Sequence, residues 1–466
     1  MAVQISQQND GLHILVAGGS GFIGHSLIQR IQIQFPNSRI TAFSRKEQVS
    51  LNPLLEWRVC DLFSLASIEV SMPAKVDVAI YLVHSMEPTA QLDQGGFEDF
   101  DLLLADNFAR ALNTRKVRKL IYLGGLVPEH DLHLSRHLKS RKEIEDCFRL
   151  RQIPTTVLRA GLILGSEGSS FQILTKLIRR LPVLICPAWT QTLTTPIDLE
   201  LVLDVFCAEI LQTDKQNITY DLSGCVPITY RKMMEETSRF LGLKRFFCSV
   251  PFFTPGLSKL WVTVITRASK GLVYPLVESL EHPMVARTEH LHPQCLPLKN
   301  YPQILHQGIL KQPESHLRIR FRVRRKTVRS IQRMSLPKGY SVDQIVFEYF
   351  KWLPEFIPFG IGVFRTREGA QFYFLSKKLV LLRLAFRTSD GREDRVLMYI
   401  TGGLLAAKNN VGQFEFRSVL NGNSLLIAIH DFRPSLPWFV YRWTQALIHG
   451  YVMKMFARHL ALMETP

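Results

Sequence analysis

His13-Ile14-Leu15-Val16-Ala17-Gly18-Gly19-Ser20-Gly21-Phe22-Ile23-Gly24 is the stretch from which the N-terminal half of this chain is read. Ile14 to Ala17 is an apolar run of the kind that forms a buried parallel strand. Gly18, Gly21 and Gly24 follow at a spacing of three. From Phe22 to Phe35 the apolar residues Ile23, Leu27, Ile28 and Ile31 fall at helical spacing. Strand, glycine turn and helix in this order form a dinucleotide-binding fingerprint. The first glycine permits a tight turn, the second lets a phosphate approach the backbone, and the third lets helix pack on strand. The free amides around Ser20, Gly21, Phe22 and Ile23 then face an anion at the positive end of the helix dipole. A plain strand-turn-helix without a ligand is the alternative.

The chain has 466 residues, enough for two or three domains, and 46% of them are hydrophobic, enough for full cores. Lys and Arg number 57 against 40 Asp and Glu, a net charge of +17. Such a charge suits phosphates, nucleic acid or anionic lipid without choosing among them. The seven cysteines are scattered, with no Cys-x-x-Cys pair, which argues against a zinc site or any other metal site and against a disulfide framework. That usage suits a reducing cytoplasm. The N-terminus shows no basic region followed by an apolar core, so no signal peptide is expected. Phe252 to Leu280 is apolar but holds Lys259, Arg267 and Lys270. It reads as a buried or cap-forming helix, or as one lying on a membrane surface.

Beyond the first helix, Arg39 to Phe43 reads as a second strand ending in Ser44-Arg45-Lys46. Arg45 stands where the residue meeting the adenosine ribose is expected. A carboxylate there would accept from a free 2′-hydroxyl, whereas Arg suits a 2′-phosphate and hence NADP. A solvated basic turn is the other reading. A third strand, Trp57 to Cys60, ends in Asp61-Leu62, placed to meet the adenine. A fourth, Val76 to Val83, ends in His84-Ser85. Strands at Val117 to Leu123 and Thr155 to Arg159 alternate with helices at Phe97 to Leu112 and Ser135 to Leu150. Alternation of this kind gives a parallel sheet covered on both faces. His137 and Arg141 lie one turn apart and share a helix face.

The first 290 or so residues resemble the short-chain dehydrogenase/reductase superfamily, in its extended and atypical branch, of NmrA-like or NAD-dependent epimerase/dehydratase type. The resemblance is carried by residues 17–24, by Tyr81-Leu82-Val83-His84-Ser85-Met86, by Asn107-Phe108-Ala109 and by Ile121-Tyr122-Leu123-Gly124-Gly125-Leu126. Ser135 to Arg141, Arg180-Leu181-Pro182-Val183 and Pro275 to Leu280 add to it. It implies a Rossmann doubly wound α/β sheet, NADP or else NAD as cofactor, and oxidoreductase activity. One departure is decisive for mechanism. The superfamily's usual Tyr, the Lys four residues later and the strand-end Ser or Thr are replaced here by His137, Arg141 and Gly124-Gly125. An imidazole can still act as acid or base near neutral pH, with Arg141 holding ribose or an anionic group. These two residues are the candidate catalytic pair. His84 joins Gly18, Ser20, Gly21, Phe22, Ile23, Gly24, Ser44, Arg45, Asp61 and Leu62 as a candidate cofactor contact.

The following half supplies the substrate side. Phe171 to Arg180 and Leu199 to Leu211 read as helices, with Asp198 as an N-cap, and Phe246, Phe247, Phe252, Phe253 and Trp261 suit an apolar ligand or an ordinary core. Prolines at 293, 297, 302 and 313 mark a linker over 291–316. Arg318 to Lys326 alternates arginine with apolar residues, which reads as a strand gripping phosphates or as a solvated edge strand. Beyond Phe321 it lacks the interleaved aromatics of a nucleic-acid reader, and no known nucleic-acid module is seen, so no specific nucleic-acid partner is expected. From 336 to 466 a helix at Val342 to Leu353 gives way to six strands, with turns at Thr388-Ser389-Asp390-Gly391 and Asn421-Gly422-Asn423. One long helix over 437–463 closes the chain. This segment resembles the DUF2867-like, helix-grip (START-like) α+β domain with an antiparallel sheet. Phe416, His430, Trp438, Tyr441 and Trp443 are either its ligand-cavity lining or its core.

The expected division is 1–300, a Rossmann domain with cap elements; 301–335, linker and basic strand; and 336–466, the helix-grip domain. The expected function is that of a cytoplasmic oxidoreductase moving hydride between NADP(H) and an unidentified apolar carbonyl or enone. A non-catalytic dinucleotide sensor or scaffold is the second reading, and peripheral contact with an anionic membrane the third.

Overall fold

The computed structural model describes residues 11–85, 90–128, 133–212, 216–250, 255–310, 325–358, 360–386, 393–408 and 412–464. The chain divides into two compact units, one of residues 1–87 and 104–319, the other of residues 88–103 and 320–466. In chain order the first elements are β1 (His13–Ala17), α1 (Phe22–Gln34), β2 (Arg39–Ser44), β3 (Leu55–Val59), α2 (Leu65–Ser71), β4 (Val78–Tyr81) and β5 (Ala90–Gln94). They are followed by α3 (Phe97–Thr114), β6 (Lys119–Gly125), α4 (Arg136–Leu150) and β7 (Thr155–Ala160).

The first unit is built on a seven-stranded, all-parallel sheet in the order β3-β2-β1-β4-β6-β7 and Ile218–Leu222. Its central strands are covered on both faces, so their sequences are continuous apolar runs rather than alternating ones. All of β4 and all of β1 after His13 are buried. On one face, Leu27, Ile28 and Ile31 of α1 pack in one cluster with Val202, Phe206 and Ile210 of the helix Leu199–Leu211. Arg30 pairs with Glu200 and Asp204 across those two helices. On the other face, Phe108 of α3 and Phe148 of α4 lie 5.2 and 5.1 Å from the Tyr81 ring. The chain winds outward from β1 to β3, then crosses back to β4. The strand order therefore reverses between β1 and β4, which opens a crevice at the carboxyl ends of those two strands.

Two stretches differ from their sequence reading. Residues 291–316 hold the helix Tyr301–Leu310, whose Tyr301, Ile304 and Leu305 are buried, with the Tyr301 hydroxyl 2.8 Å from Thr237 Oγ1. Phe252 to Leu280 holds two helices, Pro255–Thr266 and Lys270–Ser279, which share a cluster of Val262, Val273 and Val277 and are joined by Lys259 and Glu278 at 2.6 Å. Among the described residues, no helix is long and apolar enough to cross a membrane.

The second unit is an eight-stranded sheet in which Ile361–Arg365, Gly369–Phe374, Ser376–Phe386, Arg395–Gly402, Gln413–Val419, Ser424–Phe432 and Arg325–Met334 are neighbours in that order, all antiparallel. β5 adds the last strand, parallel to Arg325–Met334. The helices Val342–Phe356 and Gln445–Glu464 cover one face, where Tyr349 lies 5.6 Å from Phe416 and 5.0 Å from Phe456. The turn at 420–423 is formed by Leu420, Asn421 and Gly422, all with positive φ. The arginine run 318–324 and the turn 388–391 lie outside the described residues. The expected single C-terminal helix is two, Trp438–Trp443 and Gln445–Glu464, separated at Thr444. Phe416 and Tyr441 belong to the core and Trp443 is 60% exposed, so the five proposed lining residues do not share one enclosed surface.

The opposite strand positions carry buried charge. Glu415 Oε1 accepts from Arg395 Nε and Arg417 Nε at 2.6 Å each, and His430 Nε2 lies 2.8 Å from Oε2. Burial alone would raise the Glu415 carboxyl, but Arg417 and Arg395, with His430, more than offset it and hold it well below the usual carboxylate range. A carboxyl with a lowered folded pKa stabilises the fold above its unfolded pKa, and that contribution is lost as pH falls below it. Glu415→Gln strands two buried guanidinium groups and is expected to cost about 3–5 kcal/mol at neutral pH. Below about pH 5 the thermal midpoint of the variant should depend less steeply on pH than that of the natural protein. Melting curves across pH check both expectations, and parallel curves would remove Glu415 from the acid response.

Candidate functional site

The site is built where β1, β2, β3, β4, β6 and β7 end. Register places those ends side by side: Ala17 pairs with Phe43 and with Tyr81, Ser44 with Val59, and Gly125 with Ala160. The turn after β1 is a cradle whose shape depends on missing side chains. Gly18 has φ +89°, and a Cβ there would lie 3.0 Å from the Leu82 carbonyl carbon at the end of β4. A Cβ on Gly24 would lie 2.3 Å from the Gly18 oxygen and 2.8 Å from the Gly19 Cα. Helix α1 is thus seated directly on the turn. The Gly21 amide donates to the Gly18 carbonyl at 3.0 Å and closes the turn, and Gly21 is the N-cap residue of α1 without a side-chain cap. Ser20 and Gly21 are exposed, Phe22 and Ile23 half-buried. A helix start with this open geometry presents amides to an anion. The Phe22 ring is held beside the turn 165–168, 3.2 Å from where a Gly168 Cβ would stand.

Ser44 closes β2 with its hydroxyl accepting from the Lys46 amide at 3.2 Å, and Arg45 is exposed on the same edge. After β3, Asp61 is half-buried and Leu62 buried. Asp61 Oδ1 accepts from the Phe63 amide at 3.2 Å. Asn107 of α3 donates to the Leu62 and Phe63 carbonyls at 2.9 and 3.1 Å, which pins this loop to the edge of the sheet. Asn107 was legible only as part of a family match, and its role is structural support of the loop that carries Asp61.

His84 and His137, 53 positions apart in sequence, meet with ring centroids 5.3 Å apart. His84 follows β4 and His137 is the second residue of α4, so the pairing of β4 with β6 brings them together. The two rings are tilted by 44° to one another and stand together at the carboxyl edge of the sheet. Arg141 lies one turn further along α4, its Cγ 3.5 Å from where a Gly125 Cβ would stand. The arginine stem thus passes beside the end of β6 at a distance of ordinary van der Waals contact. Tyr122 Oη donates to the Arg141 carbonyl at 3.3 Å. The start of α4 is held from a distant part of the chain. Ser135 caps Leu138, its hydroxyl lies 3.0 Å from Ser279 Oγ, and its amide donates to His282 Nε2 at 3.2 Å. Sequence reasoning passed over Ser135, Ser279 and His282 as site supports. Only the Ser-x-x cap pattern ahead of the helix signalled the first of them.

Among the aromatic residues assigned to the substrate side, Phe247 and Trp261 pack into apolar clusters and Phe246 is 75% exposed. Phe252 and Phe253 lie outside the described residues. Among the described residues no group of His, Cys, Asp or Glu could hold a metal ion.

No protein-family model matches the chain. The auxiliary protein GraX of Staphylococcus aureus is 29% identical over 112 residues, which are 24% of this chain and 36% of GraX. The match thus spans about a third of that curated relative. Among solved structures, the triphenylmethane reductase of Citrobacter sp. complexed with NADP(H) superposes with a TM-score of 0.50 at 16% identity, over 64% of this chain and 100% of the reductase. A second structure of that reductase gives 0.50 at 15% identity. At such identities the likeness is one of fold.

The cradle predicts two different outcomes for neighbouring glycines. Gly24→Ala must push backbone apart and is expected to lose about 1–3 kcal/mol or more, by denaturant midpoint. Gly21→Ala, whose Cβ would stand 3.2 Å from the Gly18 oxygen at an ordinary extended φ of −81°, should stay within about 1 kcal/mol of the natural protein. Equal losses would mean that the turn is looser than described.

Proposed function

We propose that the first unit binds NADP(H) and reduces a small carbonyl or enone. The observation that carries this reading is the cradle: Gly18 and Gly24 leave no room for side chains at the point where α1 meets β1, and Gly21 between them is exposed at the helix start. The amides of Phe22 to Gly24 at the start of α1 would hold the pyrophosphate, Arg45 the 2′-phosphate, and Asp61 and Leu62 would face the adenine. His84, His137 and Arg141 would stand at the nicotinamide end. The cofactor, when bound, supplies hydride.

The chain's own residues then handle the proton and the charge. His137 gives a proton to the acceptor oxygen on which negative charge develops. His84 lies against the His137 ring and would orient it. Arg141 supplies a fixed positive charge one turn away. The proton lost to product is recovered from solvent. This assignment replaces the Tyr and Lys of the superfamily resemblance with an imidazole and a guanidinium, and it needs no hydroxyl at Gly124 or Gly125.

The test is a titration with NADPH and NADH followed by nicotinamide fluorescence, then an acceptor screen. NADPH should bind at least tenfold more tightly than NADH, and Arg45→Asp should erase that preference, roughly the 1.4 kcal/mol of one charge-assisted contact. His137→Ala should keep nucleotide binding and lose about 10²–10⁴-fold in turnover, the usual share of a general acid. Full turnover in His137→Ala would remove the histidine from the chemistry. Binding of neither nucleotide by the natural protein would overturn the reading. Tight binding with no turnover on any acceptor would favour a nucleotide-sensing protein.

A further inference from the structure

The last two helices of the second unit are apolar on two opposite sides. The inner side, with Tyr441, Ala446, Met453, Phe456 and Leu460, is buried in the core. The outer side shows Phe439 75%, Val440 40%, Trp443 60%, Leu447 57%, Ile448 58% and Tyr451 59% exposed. Residues 439, 443, 447 and 451 recur every four positions, so they form one stripe along the helix surface. Backbone bonds from Thr444 N to the Val440 carbonyl and from Ile448 N to the Thr444 carbonyl, each 3.0 Å, carry the stripe across the break between the helices. A surface helix ordinarily turns charged residues to solvent, and this one turns large apolar and aromatic residues.

Charge identifies what such a face meets. Between Asp431 and Glu464 the chain has no carboxylate, while Arg433, Arg442, Lys454 and Arg458 are all exposed. Lys454 and Arg458 continue the stripe at the next helical positions, and the Arg442 guanidinium lies 5.6 Å from the Trp443 ring. Leu404, 56% exposed, adjoins the start of these helices. Its amide donates to the Val380 carbonyl at 3.0 Å, and Ser435 N donates to the neighbouring Leu405 carbonyl at 3.1 Å. The exposed Lys377 and Lys378 precede that strand segment. Aromatic and aliphatic groups fringed by an excess of cations, with the neighbouring Glu348 paired to His459 at 2.8 Å, fit the boundary of a bilayer with negative headgroups. The apolar stripe would enter the acyl boundary and the long basic side chains would reach back to the phosphates.

We infer that Phe439 to Arg458 is a docking face for the surface of an anionic membrane, lying in the interface without crossing it. The inference is independent of nucleotide binding. The test is flotation of the full chain with phosphatidylcholine vesicles, with and without phosphatidylglycerol. The expected result is flotation only with phosphatidylglycerol, accompanied by a blue shift in tryptophan emission that Trp443→Phe lacks. Trp443→Ser with Leu447→Ser should cut partitioning at least about tenfold, and Arg442→Gln with Lys454→Gln about fivefold for each charge removed. Because all four side chains are exposed, thermal midpoints should be unchanged, and the charge pair reports even if the serine pair disturbs folding. Failure to float, or flotation indifferent to both pairs of substitutions, overturns the inference. So does a dimer in light scattering that the serine pair dissolves, since a second copy would then occupy the stripe.

Discussion

The approach of Gly24 to the Gly18 carbonyl is the contact on which the first unit depends. A helix can start this close to the strand that feeds it only if no Cβ intervenes, and the start of α1 is thereby fixed against the carboxyl ends of β1 and β4. Everything proposed for the site inherits its position from that packing. The reversal of strand order makes the crevice, the glycine turn floors it, and the register of the parallel strands brings Ser44, Asp61, His84 and Gly125 to one edge. Asn107 and Tyr122 then secure the loops and the α4 backbone behind that edge. The positioning groups are mostly neutral and buried, while the groups with chemistry, the two histidines and the arginine, lie at half-buried positions.

The second unit distributes polarity the other way. Its sheet carries Glu415, Arg395, Arg417 and His430 at buried positions and its terminal helices carry aromatic residues at exposed ones. Removing charge from water is costly unless each group is paired, and here one carboxylate is shared by two guanidinium groups and an imidazole. Such a cluster holds neighbouring strands in register, because a slip of one residue would carry each charge to the opposite face. On the outer stripe Tyr451 meets Phe356 at its edge, ring centroids 6.2 Å apart, while Phe439, Trp443, Leu447 and Ile448 stay more than half exposed.

Much of this was legible in the sequence, for physical reasons that also explain the failures. β1 to β4 and the strands between 361 and 432 are written in local hydrophobic periodicity, which a chain displays whatever its partners. β5 was invisible because Ala90-Gln91-Leu92-Asp93-Gln94 has one large apolar residue and pairs with a strand more than 230 positions away. The helix Tyr301–Leu310 was masked by Pro302 and the prolines flanking it, yet Pro302 occupies the first turn, where a missing amide hydrogen costs nothing. At the site, the glycine motif and each histidine could be singled out separately. The contact between His84 and His137 could not, because it follows from which strands are neighbours. His282 gave no local signal at all, since its bond to the Ser135 amide joins segments 147 positions apart.

A crystal structure of the chain with NADPH bound tests the central claim most directly. The account predicts pyrophosphate oxygens on the amides at the start of α1, the 2′-phosphate against Arg45, and the nicotinamide ring beside His137. A nucleotide bound elsewhere on the chain, or one whose nicotinamide lies away from both His84 and His137, would contradict it.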